Sequence, residues 1–151
     1  MPKTFKGQCQ CGDIQYVVQG RPLTLFCCHC KDCQRQSSSA FGMAFWIADA
    51  VLELAHGHLQ KWVRTMPSGR QMECSFCPVC GTRLFHRILG QDAVLSIKPG
   101  TLDDARDLKP VAHIWTASAQ SWLQLDGQDL QYPHNPDDFQ ALIAAWAEMH
   151  P

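Results

Sequence analysis

The sequence predicts a mainly β protein of antiparallel strands with a short helix at its carboxyl end. Three observations predict this class: short segments of alternating or β-rich composition between turn residues, helical spacing near the carboxyl end, and cysteines grouped at the spacing of metal ligands. No internal repeat, low-complexity tract or linker divides the chain. We therefore expect a single domain over residues 1–151.

The expected strands are short and precede the carboxyl-terminal segment. They comprise residues 14–18, 23–26, 43–47, 59–63, 83–86 and 94–97. Glycine and proline interrupt them, and we expect turns at Gly20–Pro22, Pro67–Gly69 and Lys98–Gly100. Short strands joined by turns are typical of an antiparallel sheet.

The carboxyl-terminal helix has a start signal and an apolar stripe. Asn135 is a suitable N-cap, Pro136 suits the first helical position, and Asp137 and Asp138 complement the helix dipole. The stripe that would pack on the sheet consists of Phe139, Leu142, Ile143 and Trp146. We interpret this stripe as core packing rather than as a recognition surface.

Composition and charge exclude some classes of partner. The hydrophobic share of 46% is ordinary for a globular domain, and the net charge of −1 gives no basic footprint for nucleic acid. No apolar run is long enough to span a membrane, and the amino terminus does not resemble a signal peptide. We therefore expect a cytoplasmic protein with reduced thiols rather than disulfides.

Seven of the nine cysteines form groups with metal-ligand spacing. Cys9 and Cys11 are one residue apart, Cys77 and Cys80 form a knuckle with proline and glycine, and all four could fill a tetrahedral zinc site. Closing so long a loop costs about 4 kcal/mol, whereas a structural zinc site contributes about 10–16 kcal/mol. Iron of the rubredoxin type is an alternative, but it would require a second knuckle of the wider spacing.

The second group, Cys28, Cys30 and Cys33, supplies three donors at the start of an expected helical turn. Three thiolates on zinc leave a corner for water, a substrate or a fourth ligand. Strand alternation turns His29 and Cys27 away from this group. We interpret Cys27 and Cys74 as small buried residues, although Cys74 is also a possible fourth ligand.

Histidines offer proton transfer or ordinary hydrogen bonding. His29 lies between two proposed ligands, and the alternatives of a proton relay and a structural residue both stay open. We expect His86 and His113 to be structural. The predicted catalytic residues are therefore Cys28, Cys30, Cys33 and His29.

Taken together, the motifs resemble one known family. The segments Gly7–Gly12, Cys28–Cys33 and Phe76–Thr82, with the later His113-Ile114-Trp115, Ser118 and Trp122, resemble the glutathione-dependent formaldehyde-activating enzyme family, which also includes centromere protein V-like proteins. The resemblance runs from about Gly7 to Pro133.

The resemblance implies coiled antiparallel β-sheets braced by zinc. It implies two zinc ions per chain, a structural one at Cys9, Cys11, Cys77 and Cys80 and a second, activity-associated one at Cys28, Cys30 and Cys33. The implied activity is condensation of formaldehyde with glutathione, formally a carbon–sulfur lyase reaction in reverse. One departure is that Ser37-Ser38-Ser39 stands where many relatives carry Ser-Gly.

Two functional hypotheses follow. The first is a zinc-dependent enzyme acting on a thiol adduct of a small carbonyl compound, with glutathione carboxylates held by Lys31, Arg35 or Arg83. The second is a zinc-stabilised binding module without catalysis. A coordination position left open at the second group would favour the enzyme, whereas a fourth protein ligand would favour the module.

Overall fold

A computed structural model describes residues 1–151 and confirms a mainly β fold with a short carboxyl-terminal helix. The nine strands are β1 Lys3–Gln8, β2 Gln15–Cys28, β3 Gly42–His56, β4 Gln60–Thr65, β5 Gln71–Phe76, β6 Arg83–Ile88, β7 Val94–Ile97, β8 Ala112–Ile114 and β9 Leu130–Gln131. The two α-helices are α1 Lys31–Ser37 and α2 Gln140–Met149. Neither helix has the length and apolar character needed to cross a membrane.

The chain divides into two compact units. The first unit comprises Met1–Pro22 and Trp46–Asp107, and the second comprises Leu23–Phe45 and Leu108–Pro151. The boundaries fall inside β2 and β3, so both long strands contribute residues to each unit. A single domain over residues 1–151 stays a prediction.

In the first unit, β4, β5, β6 and β7 follow one another as antiparallel neighbours, and β1 pairs with the first part of β2. The expected turn at Pro67–Gly69 joins β4 to β5. The core of this unit includes Tyr16 and Phe85, whose rings meet edge to face with centroids 4.8 Å apart. The Tyr16 hydroxyl is hydrogen-bonded to the Thr101 hydroxyl at 2.7 Å, which satisfies its polar end.

The predicted turn at Gly20–Pro22 is wrong, because β2 continues through it. The glycine serves close packing instead. A Cβ atom at Gly20 would lie 2.4 Å from Ile47 Cγ2 and 2.7 Å from the Ala48 carbonyl oxygen. Only a residue without a side chain fits where these backbones approach so closely.

In the second unit, two strand pairs are parallel rather than antiparallel. The end of β2 pairs in parallel with β8, and β8 pairs in parallel with β9. Long connections, not hairpins, bring these strands together, which is what parallel pairing requires. The two strands are only three and two residues long, so they carry no alternation that sequence could reveal.

Helix α2 begins later than its start signal predicts. Its first residue is Gln140, whose amide donates to the Asp138 carboxylate at 2.9 Å. The segment before it is held outside the helix, because Asn135 accepts a hydrogen bond from the Trp115 indole and the His134 carbonyl accepts from the Trp115 amide. The packing stripe is confirmed by the complete burial of Leu142 and the burial of Trp146, with Phe139 and Ile143 half-buried.

The close approach at Gly20 makes a stability prediction. Gly20→Ala should lower the free energy of unfolding by roughly 1–3 kcal/mol, because backbone atoms must move to admit the methyl group. Gly100→Ala is the matched control, since nothing lies within 4 Å of its Cβ position. Urea unfolding of the metal-loaded protein measures both, and equal midpoints for the two variants would contradict the packing argument.

Candidate metal centres

The first cysteine group is built from two similar turns in the first unit. Cys9 follows β1 and Cys77 follows β5, and each turn ends at a glycine with φ of +80°, Gly12 or Gly81. Each glycine amide donates to the carbonyl of the first cysteine in its turn, at 3.1 and 2.9 Å. A left-handed backbone without steric cost is what these two positions require.

The four sulfur atoms of Cys9, Cys11, Cys77 and Cys80 fit a tetrahedral ion. All lie within 4.8 Å of one another, with Cys9 and Cys11 Sγ atoms 3.6 Å apart and those of Cys11 and Cys77 3.9 Å apart. A zinc ion with four thiolates at about 2.3 Å requires sulfur atoms about 3.8 Å apart. Cys9 and Cys77 are buried and Cys11 is exposed, so the group lies at the edge of the core.

Backbone amides and one hydroxyl support these sulfurs. The Ile14 amide donates to Cys9 Sγ at 3.2 Å, and the Val79 amide donates to Cys77 Sγ at 3.4 Å. The Thr82 hydroxyl lies 3.2 Å from Cys80 Sγ and lowers the pKa of that thiol to about 5, together with backbone hydrogen bonds. Donors of this kind stabilise thiolate, the form that binds a metal.

Thr82 also joins the two turns, which the sequence analysis did not predict. Its Oγ1 accepts a hydrogen bond from the Gln10 amide at 3.1 Å, although Gln10 lies in the other turn. One side chain thereby holds both pairs of ligands in register. The only signal in the sequence is a hydroxyl residue immediately after the Cys77–Gly81 knuckle.

The second cysteine group lies in the second unit, where β2 ends and α1 begins. The sulfur atoms of Cys28, Cys30 and Cys33 lie within 4.8 Å of one another, and these three residues complete the group. Cys30 is the N-cap of α1, and its sulfur accepts from the Cys33 amide at 3.4 Å. Three donors in this arrangement could hold a metal ion and leave one coordination position open.

The three thiols of the second group differ in pKa. Hydrogen bonds from the Cys28 and Cys33 thiols lower the pKa of Cys30 to about 2, and the bond to Cys30 raises the pKa of Cys28. Hydrogen bonding to Cys30 therefore favours its thiolate form. A divalent cation would replace the remaining protons, because thiolate is the form that ligates.

Cys27 and Cys74 lie outside both groups. Cys27 is buried, and burial, together with the charge of Asp129, raises its pKa to about 12. Cys74 is also buried, and its thiol donates to the Met72 carbonyl at 3.8 Å. Both positions match the interpretation of cysteine as a small buried side chain.

His29 is fully buried, and neither of its ring nitrogens belongs to the second group. Its Nε2 lies 2.9 Å from His113 Nδ1, and His113 Nε2 lies 3.3 Å from the Asp129 carboxylate. Asp129 accepts from His113, so His113 Nδ1 accepts in turn and His29 donates from Nε2. This assignment leaves the buried Nδ1 of His29 as an acceptor, and it has no hydrogen-bond partner.

The backbone of His29 is fixed as firmly as its ring. Its carbonyl accepts from Gln34 Nε2 at 2.8 Å, and its amide donates to the Ile114 carbonyl at 3.0 Å. Burial, and then the nearby His113, lowers the pKa of His29, so the imidazole is neutral. Hydrogen bonds at its ring, its carbonyl and its amide therefore fix the residue between Cys28 and Cys30.

A shallow groove of about 520 Å³, largely open to solvent, lies along α1 in the second unit. Lys31 and Arg35, two of the cations predicted to hold carboxylates, line it together with the exposed Trp122. The third predicted cation, Arg83, belongs to the first unit and is not a lining residue. The groove and the second cysteine group thus share helix α1, which carries Cys33.

The loop after α1 contains the departure noted in the sequence. Ser38 has φ of 51° and ψ of 39°, a left-handed conformation that favours glycine. The serine therefore adopts the turn that a glycine would adopt there, and its amide donates to the Arg35 carbonyl. Ser38 and Ser39 both line the groove, so their side chains form part of its wall.

Fold and site together define a mainly β protein with two cysteine groups, each of which could hold a metal ion. The family model of the glutathione-dependent formaldehyde-activating enzyme matches residues 4–118, and the chain belongs to this family. The fold is similar to the crystal structure of a Rhodobacter sphaeroides protein, with a TM-score of 0.53 and 21% sequence identity over 72% of this chain and 98% of that one. No curated protein matches the chain.

The bridging hydroxyl of Thr82 makes a prediction for the first group. Thr82→Val should remove the hydrogen bond that joins the two turns, leave the exposed Gln10 amide to solvent, and weaken metal binding there by about 10- to 100-fold. Thr82→Ser is the matched control, because it keeps the hydroxyl. Competition with a chromophoric chelator measures the affinity, and a valine variant that binds like wild type would contradict the bridging role.

The buried histidine pair makes a prediction for the second group. His113→Leu removes the acceptor for His29 Nε2 and should weaken metal binding at Cys28, Cys30 and Cys33 by about 10- to 100-fold. Cobalt titration, followed by its thiolate absorption bands, distinguishes the two groups. The first group should titrate as in wild type, and so should both groups in the control His58→Leu, at an exposed histidine. Unchanged cobalt affinity at the second group would show that the pair does not position its ligands.

Proposed function

We propose that this protein is a zinc-dependent enzyme of the carbon–sulfur lyase type, acting on an adduct of glutathione with formaldehyde or another small carbonyl compound. The observation that carries this proposal is the three-thiol group of Cys28, Cys30 and Cys33, which has no fourth protein donor. Family membership supports glutathione and formaldehyde as the substrate chemistry. Nine free thiols are compatible with a reducing, cytoplasmic setting.

The donor set fits zinc better than a hard cation. Thiolates are soft ligands, and zinc accepts three of them together with one exchangeable ligand. Zinc bound there would act as a Lewis acid and favour the thiolate form of a substrate thiol. Cys30 and Cys33 are partly exposed, so a small molecule can reach this group from solvent.

The thiol substrate would bind in the groove along α1. Glutathione carries two carboxylates, and the ammonium of Lys31 and the guanidinium of Arg35 are positive groups that bind carboxylates. Both lie on α1, so a ligand held by them stays close to the helix that carries Cys33. Trp122 is 68% exposed, and its indole N–H is directed to Gln120, which leaves the ring face for contact with the ligand.

His29 has a positioning role that its contacts support and a catalytic role that stays a prediction. Its three hydrogen bonds fix the spacing of Cys28 and Cys30. Its Nδ1 has no hydrogen-bond partner, but this nitrogen is buried and outside the three-thiol group, so the geometry supports positioning more directly than proton transfer.

Cys30→Ser tests the proposal. We expect the variant to lose acceleration of S-(hydroxymethyl)glutathione formation over the spontaneous rate, measured by exchange NMR. Its unfolding midpoint should stay close to that of wild type, because the first group is intact. Lys31→Gln with Arg35→Gln should raise KM for glutathione and leave kcat nearly unchanged, since these side chains bind and do not react.

Two results would contradict the proposal that this protein is an enzyme. One is Cys30→Ser with wild-type turnover, which would remove the second group from the chemistry. The other is wild-type protein with zinc at both groups and no acceleration with formaldehyde, glyoxal or methylglyoxal, which would favour the non-catalytic module.

A further inference from the structure

A line of hydrogen-bonded polar side chains runs from the second cysteine group to the surface of the second unit. Two parallel strand pairs build it, in which Cys28 of β2 lies opposite Ile114 of β8, and His113 of β8 lies opposite Gln131 of β9. Asp129 directly precedes β9. The sheet thereby brings together side chains from three distant segments of the chain.

Asp129 is the buried acid in this line. One oxygen of its carboxylate accepts from His113 Nε2 at 3.3 Å, and the other lies 3.5 Å from the Lys109 ammonium. The side chain of Asp129 is 6% exposed, whereas that of Lys109 is 50% exposed. Lys109 also pairs with Asp126 at 2.9 Å, so the line ends at the surface in an exposed ion pair.

The backbone fixes the place of the Asp129 carboxylate. The Asp129 amide donates to the Asp126 carbonyl at 3.1 Å, which closes a turn. The next amide, that of Leu130, donates to the Val111 carbonyl at 3.0 Å, immediately before β8. The turn and the start of β9 therefore hold the carboxylate beside His113.

A buried carboxylate in this place orients its neighbours more than it stabilises the fold. The free energy of removing charges from water offsets most of their attraction, and apolar side chains of similar size often stabilise a protein as well. A carboxylate can only accept, so it fixes the proton of a neutral His113 on Nε2 and leaves Nδ1 as an acceptor. His29 must then donate to it from Nε2, at 2.9 Å.

The opposite tautomer of His113 would disturb both ends of the line. It would set a lone pair of Nε2 against the Asp129 carboxylate and direct a proton from Nδ1 toward His29. The ring of His29 would then carry its own proton on the buried Nδ1, which has no hydrogen-bond partner. An unpaired buried N–H costs free energy, so the orientation of His29 depends on Asp129.

We propose that Asp129 is a positioning residue for the second cysteine group. Its carboxylate fixes the tautomer of His113, and His113 fixes the ring of His29. His29 in turn holds Cys28 and Cys30 at the spacing that a metal ion requires. The proposal rests on the proposed function, because that function places its metal at this group. Asp129 is not a member of the group, so it acts through the two histidines.

Long-range ¹H–¹⁵N NMR of the zinc-loaded, ¹⁵N-labelled protein tests the tautomers directly. Spectra recorded at about pH 8, where ordinary histidines are neutral, report which ring nitrogen carries the proton. Through-bond correlations within each side chain assign the signals. We expect both His113 and His29 to carry the proton on Nε2.

Two variants of Asp129 separate the carboxylate from the shape of the side chain. Asp129→Asn introduces an amide of the same shape. The Lys109 ammonium can only donate, so the amide oxygen should turn to Lys109 and the NH₂ group to His113. His113 Nε2 would then accept, and its proton should move to Nδ1. Asp129→Glu keeps a carboxylate and should keep the wild-type tautomers.

Cobalt titration measures the effect on metal binding. Asp129→Asn should weaken binding at the second group by about tenfold, the lower end of the range for residues that orient metal ligands. Cobalt affinity at the first group and the unfolding midpoint should stay as in wild type. Asp129→Glu should recover most of the affinity at the second group.

Asp126→Asn is the matched control. It makes the same change at an acid that pairs with the same lysine, but at an exposed position. Both tautomers and both cobalt affinities should stay as in wild type. None of these measurements uses turnover, so a wild-type protein without catalysis would contradict the proposed function and leave this result standing.

Three outcomes would overturn the proposal. One is wild-type His113 with its proton on Nδ1, a result that decides the matter even if Asp129→Asn does not fold. The second is a folded Asp129→Asn protein with wild-type tautomers or with wild-type cobalt affinity at the second group. The third is an equal loss of affinity at both groups, which would show general loosening instead of positioning.

Discussion

The convergence of four sulfur atoms from the amino end and the middle of the chain is the constraint on which the first unit depends. Cys9 follows β1 and Cys77 follows β5, so one ion at their sulfurs would fix strands separated by more than sixty residues. The turns are shaped for this purpose by two left-handed glycines, by amides that donate to sulfur and by the Thr82 hydroxyl that joins them. Hydrogen bonds of this kind orient the sulfur ligands, and a metal ion bound to them would contribute free energy of folding.

The cysteines of the second group lie close together in the sequence, whereas those of the first group come from distant segments. Cys28, Cys30 and Cys33 lie within six residues, so an ion there closes no long loop and contributes little to the folding of distant segments. Several buried polar contacts nevertheless hold this loop. His29 is hydrogen-bonded to His113 and Gln34, and His113 is hydrogen-bonded to Asp129. Burying polar groups costs free energy unless each of them is hydrogen-bonded. We therefore infer that the geometry of these ligands matters for something other than stability. A metal with three fixed ligands and one exchangeable ligand is the arrangement that zinc enzymes use.

Sequence predicted the features that depend on local spacing and missed those that depend on long-range contact. The cysteine groups follow from the spacing of metal ligands. The burial of Cys27 and the stripe of α2 follow from strand and helix periodicity. Each of these patterns extends over only a few residues. The pairing of His113 with His29 joins residues 84 positions apart, and no local pattern encodes it. Glycine permits both a free backbone conformation and close packing, so the sequence at Gly20 predicts a turn where the neighbouring strand in fact requires close packing. The parallel strands β8 and β9 are too short to have a period of their own.

We propose that the two groups hold zinc differently, one as a closed four-sulfur site and the other with an exchangeable ligand. Native mass spectrometry combined with zinc X-ray absorption, before and after dialysis against a mild chelator, tests it most directly. We predict two ions per chain at first, then one retained ion with four sulfur neighbours at about 2.3 Å in a protein that is still folded. A reduced protein that folds normally with no bound ion, or a retained ion with only three sulfur neighbours, would contradict the account.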